Sequence, residues 1–307
     1  MSLNGFDSYD EYFSACCKFL GDNEWIFNYP VTEILVQDIP SLVPDSWIHA
    51  LSSLSEEEFK TFPVYLVKED WPASLIAFCQ WSKKLKLKPE IFNPSEKLEL
   101  PEIIKAGVTP KKTHEVDNLV PFIHSLCSDH SINRIVDIGS GLGYLDLFLY
   151  VKYGHTILGV ESGKKLVETS TSRFQKVKAA LPLNHVDHLT TKKTKRRCVT
   201  KIPTNDFKAY VTSFLSRYHI STKSGETFHP NSTVIAAIMD LWEKFKPKEK
   251  VISILLCLQA NIQFVAESLI VADRVKYLLE RNAKEVSVVR VMDDSVSPRA
   301  LALCVHK

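Results

Sequence analysis

The chain has 307 residues, 45% of them hydrophobic and 24% charged, a composition typical of a soluble globular protein. Its net charge of +2 neither requires a nucleic-acid partner nor excludes one. The seven cysteines are scattered and form no C-x-x-C pair, which argues against a disulfide framework or a zinc ribbon and favours reduced thiols in an intracellular protein, cytoplasmic or nuclear.

The N-terminal third is predicted to be helical. Its first residues, "MSLNGFDSYDEYF", are acidic and lack the basic flank and apolar core of a secretory signal. Apolar residues then recur at helical spacing, and "SYDEYFSACCKFL" and "SWIHALSSLSEEEFKTF" each predict one helix. Prolines at positions 89, 94 and 101 predict a surface linker, so residues 1–105 form an N-terminal helical region and linker.

Residues 106–307 are predicted to form a second domain, which begins with a helix at 114–130. The hydrophobic period then changes over residues 134–190. "RIVDI" predicts a buried strand, "YLDLFLYVKYG" a helix closed by Gly154, "HTILGVE" a second strand, and "KKLVETSTSRFQKVKAALP" a second helix. This order of elements is that of a βαβ unit with parallel strands.

Three helical segments are predicted over residues 200–280, and two strands over 285–307. The most apolar segment, 251–275, is interrupted by polar residues such as Gln259 and Asn261, so it lacks the roughly 18 apolar residues in a row of a membrane span. We therefore expect no membrane association. "EVSVVRVM" and "RALALCVHK", joined by "DDSVSP", predict an antiparallel hairpin.

A glycine-rich loop joins the first strand of the βαβ unit to its helix. Gly139, Gly141 and Gly143 are spaced G-x-G-x-G, and glycines at such a turn let a ligand approach the backbone closely. A dinucleotide loop needs its third glycine one place later, where this chain has Tyr144. The spacing instead suits a cofactor with a carboxylate and no pyrophosphate, such as S-adenosylmethionine.

Two acids flank this loop. Asp137, just before it, is placed to meet a positive group such as an amino group, directly or through water. Glu161 ends the second strand, where an acid accepts both ribose hydroxyls of an adenosine. The alternative is a purely structural strand-to-helix turn, since ordinary turns also use glycine.

These residues resemble those of the methyltransferase-like protein 25 family. "KKTHEV" ahead of "VDIGSGLGYL" is similar to the family's paired signature, and "ESLIVADRVKYLLE" and "DDSVSPRALALCVHK" are similar to its closing helix and hairpin. The resemblance implies an α/β, Rossmann-like class I methyltransferase sheet and S-adenosylmethionine as cofactor. The implied cofactor residues, with two further members of the loop, are Asp137, Gly139, Ser140, Gly141, Gly143, Tyr144 and Glu161.

"KKTHEV" also supplies Lys112, His114 and Glu115 to the predicted cofactor site. The resemblance implies that this segment lies over the cofactor, where His114 contacts the methionine end or the substrate. The alternative is that the segment is only the start of a helix, capped by Thr113.

Part of the family pattern is missing from this chain. The motifs H-x-C-G-D and G-C-C-Y do not occur, and the resemblance resumes only at "KIPTNDFKAYVTSFLSRYH". Either residues 200–250 rearrange to cover the first strand, or the sheet is incomplete and the chain is a shortened form. No catalytic residue is therefore assigned. Two functions stay open: a methyltransferase, and a non-catalytic relative that binds the cofactor or acts as an interaction module.

Two patterns past Pro182 complete the sequence. His185 and His188 flank Asp187, but no other ligand cluster is near, so we expect no metal and assign Asp187 to the adenine end of the cofactor site. The basic run "KKTKRR" favours a solvated loop over a nuclear-import or RNA-binding patch. The sequence determines neither the methyl acceptor (RNA, protein or small molecule) nor the oligomeric state.

Overall fold

The computed structural model describes residues 3–62, 66–94, 104, 108–180, 206–215, 220–221, 227–228, 231–293 and 300–306. The predictions for Asp187 and for "KKTKRR" lie outside these residues.

The helices of the described residues agree with most of the helical predictions. Their bounds are α1 Tyr9–Asp22, α2 Asp45–Ser52, α3 Glu56–Thr61, α4 Ala73–Leu85, α5 Pro110–Asp129, α6 Tyr144–Tyr153, α7 Lys164–Ala180, α8 Phe207–Leu215, α9 Ser232–Phe245 and α10 Glu249–Glu280. Short 3₁₀ turns occupy Glu24–Ile26, Val31–Glu33, Ile39–Leu42 and Lys246–Lys248.

The strands form three small sheets within the described part of the chain. Their bounds are β1 Glu90–Ile91, β2 Arg134–Ile138, β3 Thr156–Val160, β4 Ile220–Ser221, β5 Thr227–Phe228, β6 Glu285–Arg290 and β7 Leu301–His306. β2 and β3 pair in parallel, which confirms the predicted strands of the βαβ unit. β6 and β7 pair antiparallel, which confirms the predicted hairpin.

Two predictions about local structure are wrong. "SWIHALSSLSEEEFKTF" forms two helices, because Ser55 begins α3 with a capping box in which its hydroxyl and the Glu58 carboxylate each accept from the other residue's backbone N–H. The proline-rich segment is not only a linker, because β1 within it pairs in parallel with β6.

The chain divides into two compact units. A helical unit contains residues 2–87 and 195–276, and an α/β unit contains residues 88–194 and 277–307 together with Met1. Residues 195–276 thus group with the N-terminal helices, whereas the sequence analysis assigned the segment 200–280 to the C-terminal domain. Patterns in a single sequence describe neighbouring residues, so they do not indicate that two distant segments fold into one unit.

The core of the helical unit forms along one face of α10. Leu258 and Val265 are fully buried in a cluster with Tyr12 and Leu75 from the N-terminal helices. Polar residues of α10 are paired across the same interface. The Ser82 hydroxyl donates to the Asn261 carbonyl oxygen at 3.2 Å, and the Gln259 amide donates to the Ile26 carbonyl at 2.9 Å. The polar residues that interrupt this apolar stretch are therefore tertiary hydrogen-bond partners.

By length and composition alone, one described helical stretch, Ser232–Glu280, is apolar enough to cross a membrane. Its most apolar window is 39% buried in the protein itself. A core helix of a globular protein has the same apolar composition, since one of its faces packs against other helices.

The core of the α/β unit lies between helices α5, α6 and α7 and one face of the β2–β3 pair. Val120, Leu147 and Val177 are buried there, with Ile135 and Ile157 packed against them from the two strands. The opposite face of the pair is exposed, and Ile138 there has 84% of its surface accessible. Among the described strands β2 and β3 pair only with each other, so both outer edges and one face of this two-stranded sheet are uncovered there.

Two histidines meet inside the α/β unit. Nδ1 of His124 on α5 lies 3.0 Å from Nε2 of His155, and the Tyr153 ring stacks on His124 with 3.7 Å between the centroids. His155 is only 8% exposed. Burial, with the nearby His124, lowers the pKa of His155 and so favours its neutral form.

Truncation of Leu258 tests the packing of α10. We expect L258A to lower the free energy of unfolding by about 2–5 kcal/mol, because the truncation leaves a cavity in the core. The control L256A removes a side chain that is 51% exposed, so it is expected to change stability by less than about 0.5 kcal/mol. Urea unfolding followed by circular dichroism measures both, and equal losses would contradict this packing.

Acid titration tests the histidine pair. As the pH falls from 7 to 5, His155 in the unfolded chain becomes protonated near its ordinary pKa of 6.5. In the folded protein His155 stays neutral to a lower pH, because folding lowers its pKa. Stability is therefore lost as the pH falls. We expect the melting temperature of wild type to drop more steeply over this range than that of His155→Gln, while the exposed-residue control His49→Gln keeps the wild-type slope. An unchanged slope in His155→Gln would refute the assignment.

Candidate functional site

The glycine loop, residues 139–143, joins the end of β2 to the start of α6. Gly139, Gly141 and Gly143 have φ angles of +84°, +58° and +64°, which side chains rarely adopt. A Cβ added at Gly139 would meet no atom within 4 Å, and one at Gly141 would meet only the Gly139 carbonyl oxygen, at 3.9 Å. Open space therefore lies next to the first two glycines, where a ligand can approach the backbone.

Gly143 has a different role from the other two glycines. A Cβ at this position would lie 2.1 Å from the hydroxyl oxygen of Ser170 on α7. The loop therefore packs so closely against α7 that a Cβ at Gly143 would require the Ser170 side chain to move.

The backbone N–H groups of the loop are bonded to the protein itself. Those of Gly139 and Ser140 donate to the Val160 carbonyl at 2.7 and 3.2 Å, and that of Gly141 donates to Oε2 of Glu161 at 3.0 Å. In a dinucleotide-binding loop such groups face the pyrophosphate. Here these three N–H groups already have acceptors.

Glu161 follows β3 and holds its carboxylate against the loop. Its Oε1 accepts from the Gly163 N–H at 2.7 Å, while Oε2 accepts from Gly141. These hydrogen bonds lower the pKa of Glu161 below its usual range, and the one from Gly163 has the larger effect. Oε1 also accepts from the Ser162 hydroxyl at 3.4 Å, and Oε2 can accept a further hydrogen bond. Glu161 is therefore an ionised acceptor at the carboxyl end of the parallel strands.

Asp137 and Asp146 form a second acidic group behind the loop. Asp137 on β2 pairs in register with Gly159 on β3, and Asp146 in the first turn of α6 places its Oδ2 2.5 Å from the position that a Cβ would take on the same Gly159. The pKa of Asp146 is raised to about 7, mainly because the group is buried and secondly because Asp137 is a neighbour. The sequence gives no sign of a role for Asp146, because an acid in the first turn of a helix ordinarily only stabilises the helix through its interaction with the helix dipole.

Arg173 on α7 ties the loop to the second helix. Its Nη1 donates to the Leu142 carbonyl at 2.8 Å, and its Nη2 donates to the Tyr144 hydroxyl at 2.7 Å. The guanidinium carbon also lies 3.8 Å from the centre of the Tyr144 ring. Tyr144 is 9% exposed and belongs to the core of the unit. Arg173 carries no motif signal, so only its contacts reveal its role.

The "KKTHEV" segment forms the start of α5. The helix is capped by Thr109, whose hydroxyl accepts from the Lys112 N–H at 3.3 Å, and Pro110 occupies its first turn. The predicted cap Thr113 is therefore wrong, because the helix begins four residues before the predicted His114.

The predicted site residues of α5 have partners of their own. Lys112 and Glu115 form an ion pair at 3.0 Å, and the Nε2 of His114 accepts from the Asp293 N–H at 3.3 Å. Their placement over a cofactor stays a prediction. No described group of three or more His, Cys, Asp or Glu side chains is arranged to hold a metal ion.

Comparisons with known proteins identify relatives of this chain. A family model described as "Methyltransferase domain" matches residues 111–306. The human protein "Probable methyltransferase-like protein 25" is 30% identical over 189 residues, covering 50% of this chain and 31% of the human protein. The mouse protein of the same name is 36% identical over 75 residues, covering 24% of this chain and 13% of the mouse protein.

No solved structure gives a significant match to the chain. The part of this chain that aligns with the human methyltransferase-like protein covers about a third (31%) of that protein's length.

Alanine at Gly143 tests the packing of the loop. We expect Gly143→Ala to destabilise the protein by about 2–5 kcal/mol, the sum of about 1–2 kcal/mol for a left-handed residue and about 1–3 kcal/mol for the clash with Ser170. Gly154 is the matched control, because its φ is +71° with no atom within 4 Å of an added Cβ. Gly154→Ala should show the backbone cost alone in urea unfolding. Similar losses for both variants would show that the clash is relieved without cost.

Proposed function

This chain belongs to the methyltransferase-like protein 25 family, and we propose that it binds S-adenosylmethionine at the glycine loop and transfers the methyl group to an acceptor. A Rossmann-like class I fold is part of this proposal. The order strand, glycine loop, helix, parallel strand over β2, α6 and β3 supports it.

The observation that carries the proposal is the Glu161 carboxylate bonded to the Gly141 N–H. A pyrophosphate at this position would meet negative charge and N–H groups that already have acceptors. The ribose of an adenosine instead offers two hydroxyl donors to an ionised acceptor. The open space next to Gly139 gives the room that such a ligand needs. The residues of the loop therefore fit S-adenosylmethionine better than a dinucleotide.

Four residues in and around the loop have proposed tasks. Glu161 accepts from the ribose hydroxyls, and Asp137 accepts from the cationic amino group of the methionine end. Arg173 and Gly143 hold the loop against α7, so the bound cofactor keeps one orientation. S-adenosylmethionine supplies an electrophilic methyl group when bound. Methyl transfer requires an in-line approach of the acceptor, so fixed orientation is the main contribution the loop can make.

The proposed setting is intracellular, in the cytoplasm or the nucleus. The six cysteines in the described part of the chain carry free thiols, in keeping with a reducing compartment. A membrane is no part of the proposal, because the apolar face of α10 packs in the helical unit.

Titration calorimetry with S-adenosylmethionine tests the binding step. We expect wild type to bind, and Glu161→Gln to bind about 10–100-fold more weakly, because it loses hydrogen bonds to a charged acceptor. Glu168→Gln on the exposed surface of α7 is the matched control and should bind as wild type does. A folded wild-type sample that produces no heat of binding would refute the proposal.

Methyl transfer itself needs a second measurement. Labelled S-adenosylmethionine and a fractionated cell extract show whether RNA, protein or small molecules take up the label. Binding without any labelled product would favour the non-catalytic alternative.

A further inference from the structure

Gly163 lies in the turn between β3 and α7, next to the acid that is proposed to hold the ribose. Its backbone N–H donates to Oε1 of Glu161 at 2.7 Å. Its carbonyl oxygen accepts from the N–H groups of Leu166 and Val167 at 2.8 and 3.1 Å, so Gly163 occupies the N-cap position of α7. One residue thus begins the second helix of the unit and contacts the Glu161 carboxylate.

The backbone conformation of Gly163 does not explain why this position is a glycine. Its φ lies outside the left-handed region, unlike those of the three glycines of the loop, so residues with a side chain can adopt it. The space beside it is what is limited. A Cβ at Gly163 would lie 3.2 Å from Oε1 of Glu161 and 3.1 Å from Cδ1 of Leu166. A side chain here would therefore have to displace the carboxylate, the Leu166 side chain or both.

Glu161 is held by backbone donors on two separate segments. Gly141 of the loop donates to Oε2 at 3.0 Å, and Gly163 donates to Oε1 at 2.7 Å. The Ser162 hydroxyl adds a longer contact to Oε1, at 3.4 Å. The bond from Gly163 is the shortest of the three and contributes most to the lowered pKa of Glu161. The carboxylate is therefore oriented before a ligand arrives, and such preorganisation reduces the entropy lost on binding.

We propose that Gly163 is a positioning residue of the cofactor site that orients the Glu161 carboxylate toward the ribose, through its backbone N–H and its lack of a side chain. The inference rests on the function proposed above. The Gly163 N–H already has an acceptor, so it donates no hydrogen bond to the ligand itself. The effect of Gly163 on affinity therefore passes through Glu161.

Two substitutions test these two features of Gly163. Gly163→Ala keeps the N–H and adds a Cβ, whereas Gly163→Pro also removes the N–H. Proline is compatible with this position, since Pro44 and Pro72 occupy the N-cap positions of α2 and α4. We expect each variant to bind S-adenosylmethionine about 3–10-fold more weakly in titration calorimetry, the effect of weakening one hydrogen bond to a charged group.

Gly21→Ala is the matched control for the added methyl group. The φ of Gly21 also lies outside the left-handed region, and an added Cβ there would meet no atom within 4 Å. This variant should bind S-adenosylmethionine as wild type does.

A double-mutant cycle distinguishes positioning from a general loss of structure. In a Glu161→Ala background, Gly163→Ala should cause no further loss of affinity, because the group on which it acts is gone. A further loss as large as that in the wild-type background would overturn the proposal.

Carbon NMR of the free protein separates this inference from the proposed function. The pKa of Glu161, held below its ordinary value of 4.5 in wild type, should rise in both Gly163 variants and stay unchanged in Gly21→Ala. An unchanged pKa in both Gly163 variants would overturn the positioning role even where wild type binds S-adenosylmethionine. A raised pKa together with no binding by wild type would overturn the proposed function as well, since the oriented carboxylate would then have no ribose to hold.

Discussion

The parallel pairing of β2 with β3 is the constraint on which the candidate site depends. Five residues of each strand are in register, from Arg134 opposite Thr156 to Ile138 opposite Val160. The pairing continues into the loop, where Gly139 and Ser140 donate to the Val160 carbonyl. Since the two strands end together, Glu161 arrives beside the loop, and Gly159 lies opposite Asp137. A slip of one residue would turn Asp137 to the exposed face and separate it from Asp146.

The carboxyl groups around the loop are arranged in two groups, and the one guanidinium described there, that of Arg173, is engaged by Leu142 and Tyr144. Glu161 accepts from the Gly141 and Gly163 N–H groups beside the loop, whereas Asp137 and Asp146 lie behind it, next to Gly159. Both groups favour ligands that donate hydrogen bonds or carry positive charge, and both disfavour phosphate. This electrostatic character agrees with the chain's membership of a methyltransferase family more directly than the glycine spacing does, because glycine-rich turns also serve dinucleotides.

The helical unit shows how much of the chain's organisation depends on contacts distant in sequence. The Ser82 hydroxyl and the Asn261 side chain are 179 positions apart, and their hydrogen bond joins the N-terminal helices to α10. The apolar composition of residues 251–275 is that of a helix with a buried face, but it does not identify the partner of that face. Any helix with an apolar face of the right length satisfies the same periodicity, so the pairing of helices was not predictable from one sequence.

The sequence by itself determined the local elements of the α/β unit, because glycines, alternating apolar residues and helix periodicity act over a few neighbours. It predicted both strands, the loop between them, both helices and the closing hairpin, and it singled out Asp137 and Glu161. Tertiary structure alone decided that β1 joins β6 and that α10 packs with the N-terminal helices. It also revealed Arg173 and Asp146, whose partners lie on other elements. These features depend on which side chains meet in space, and spacing along the chain carries no information about that.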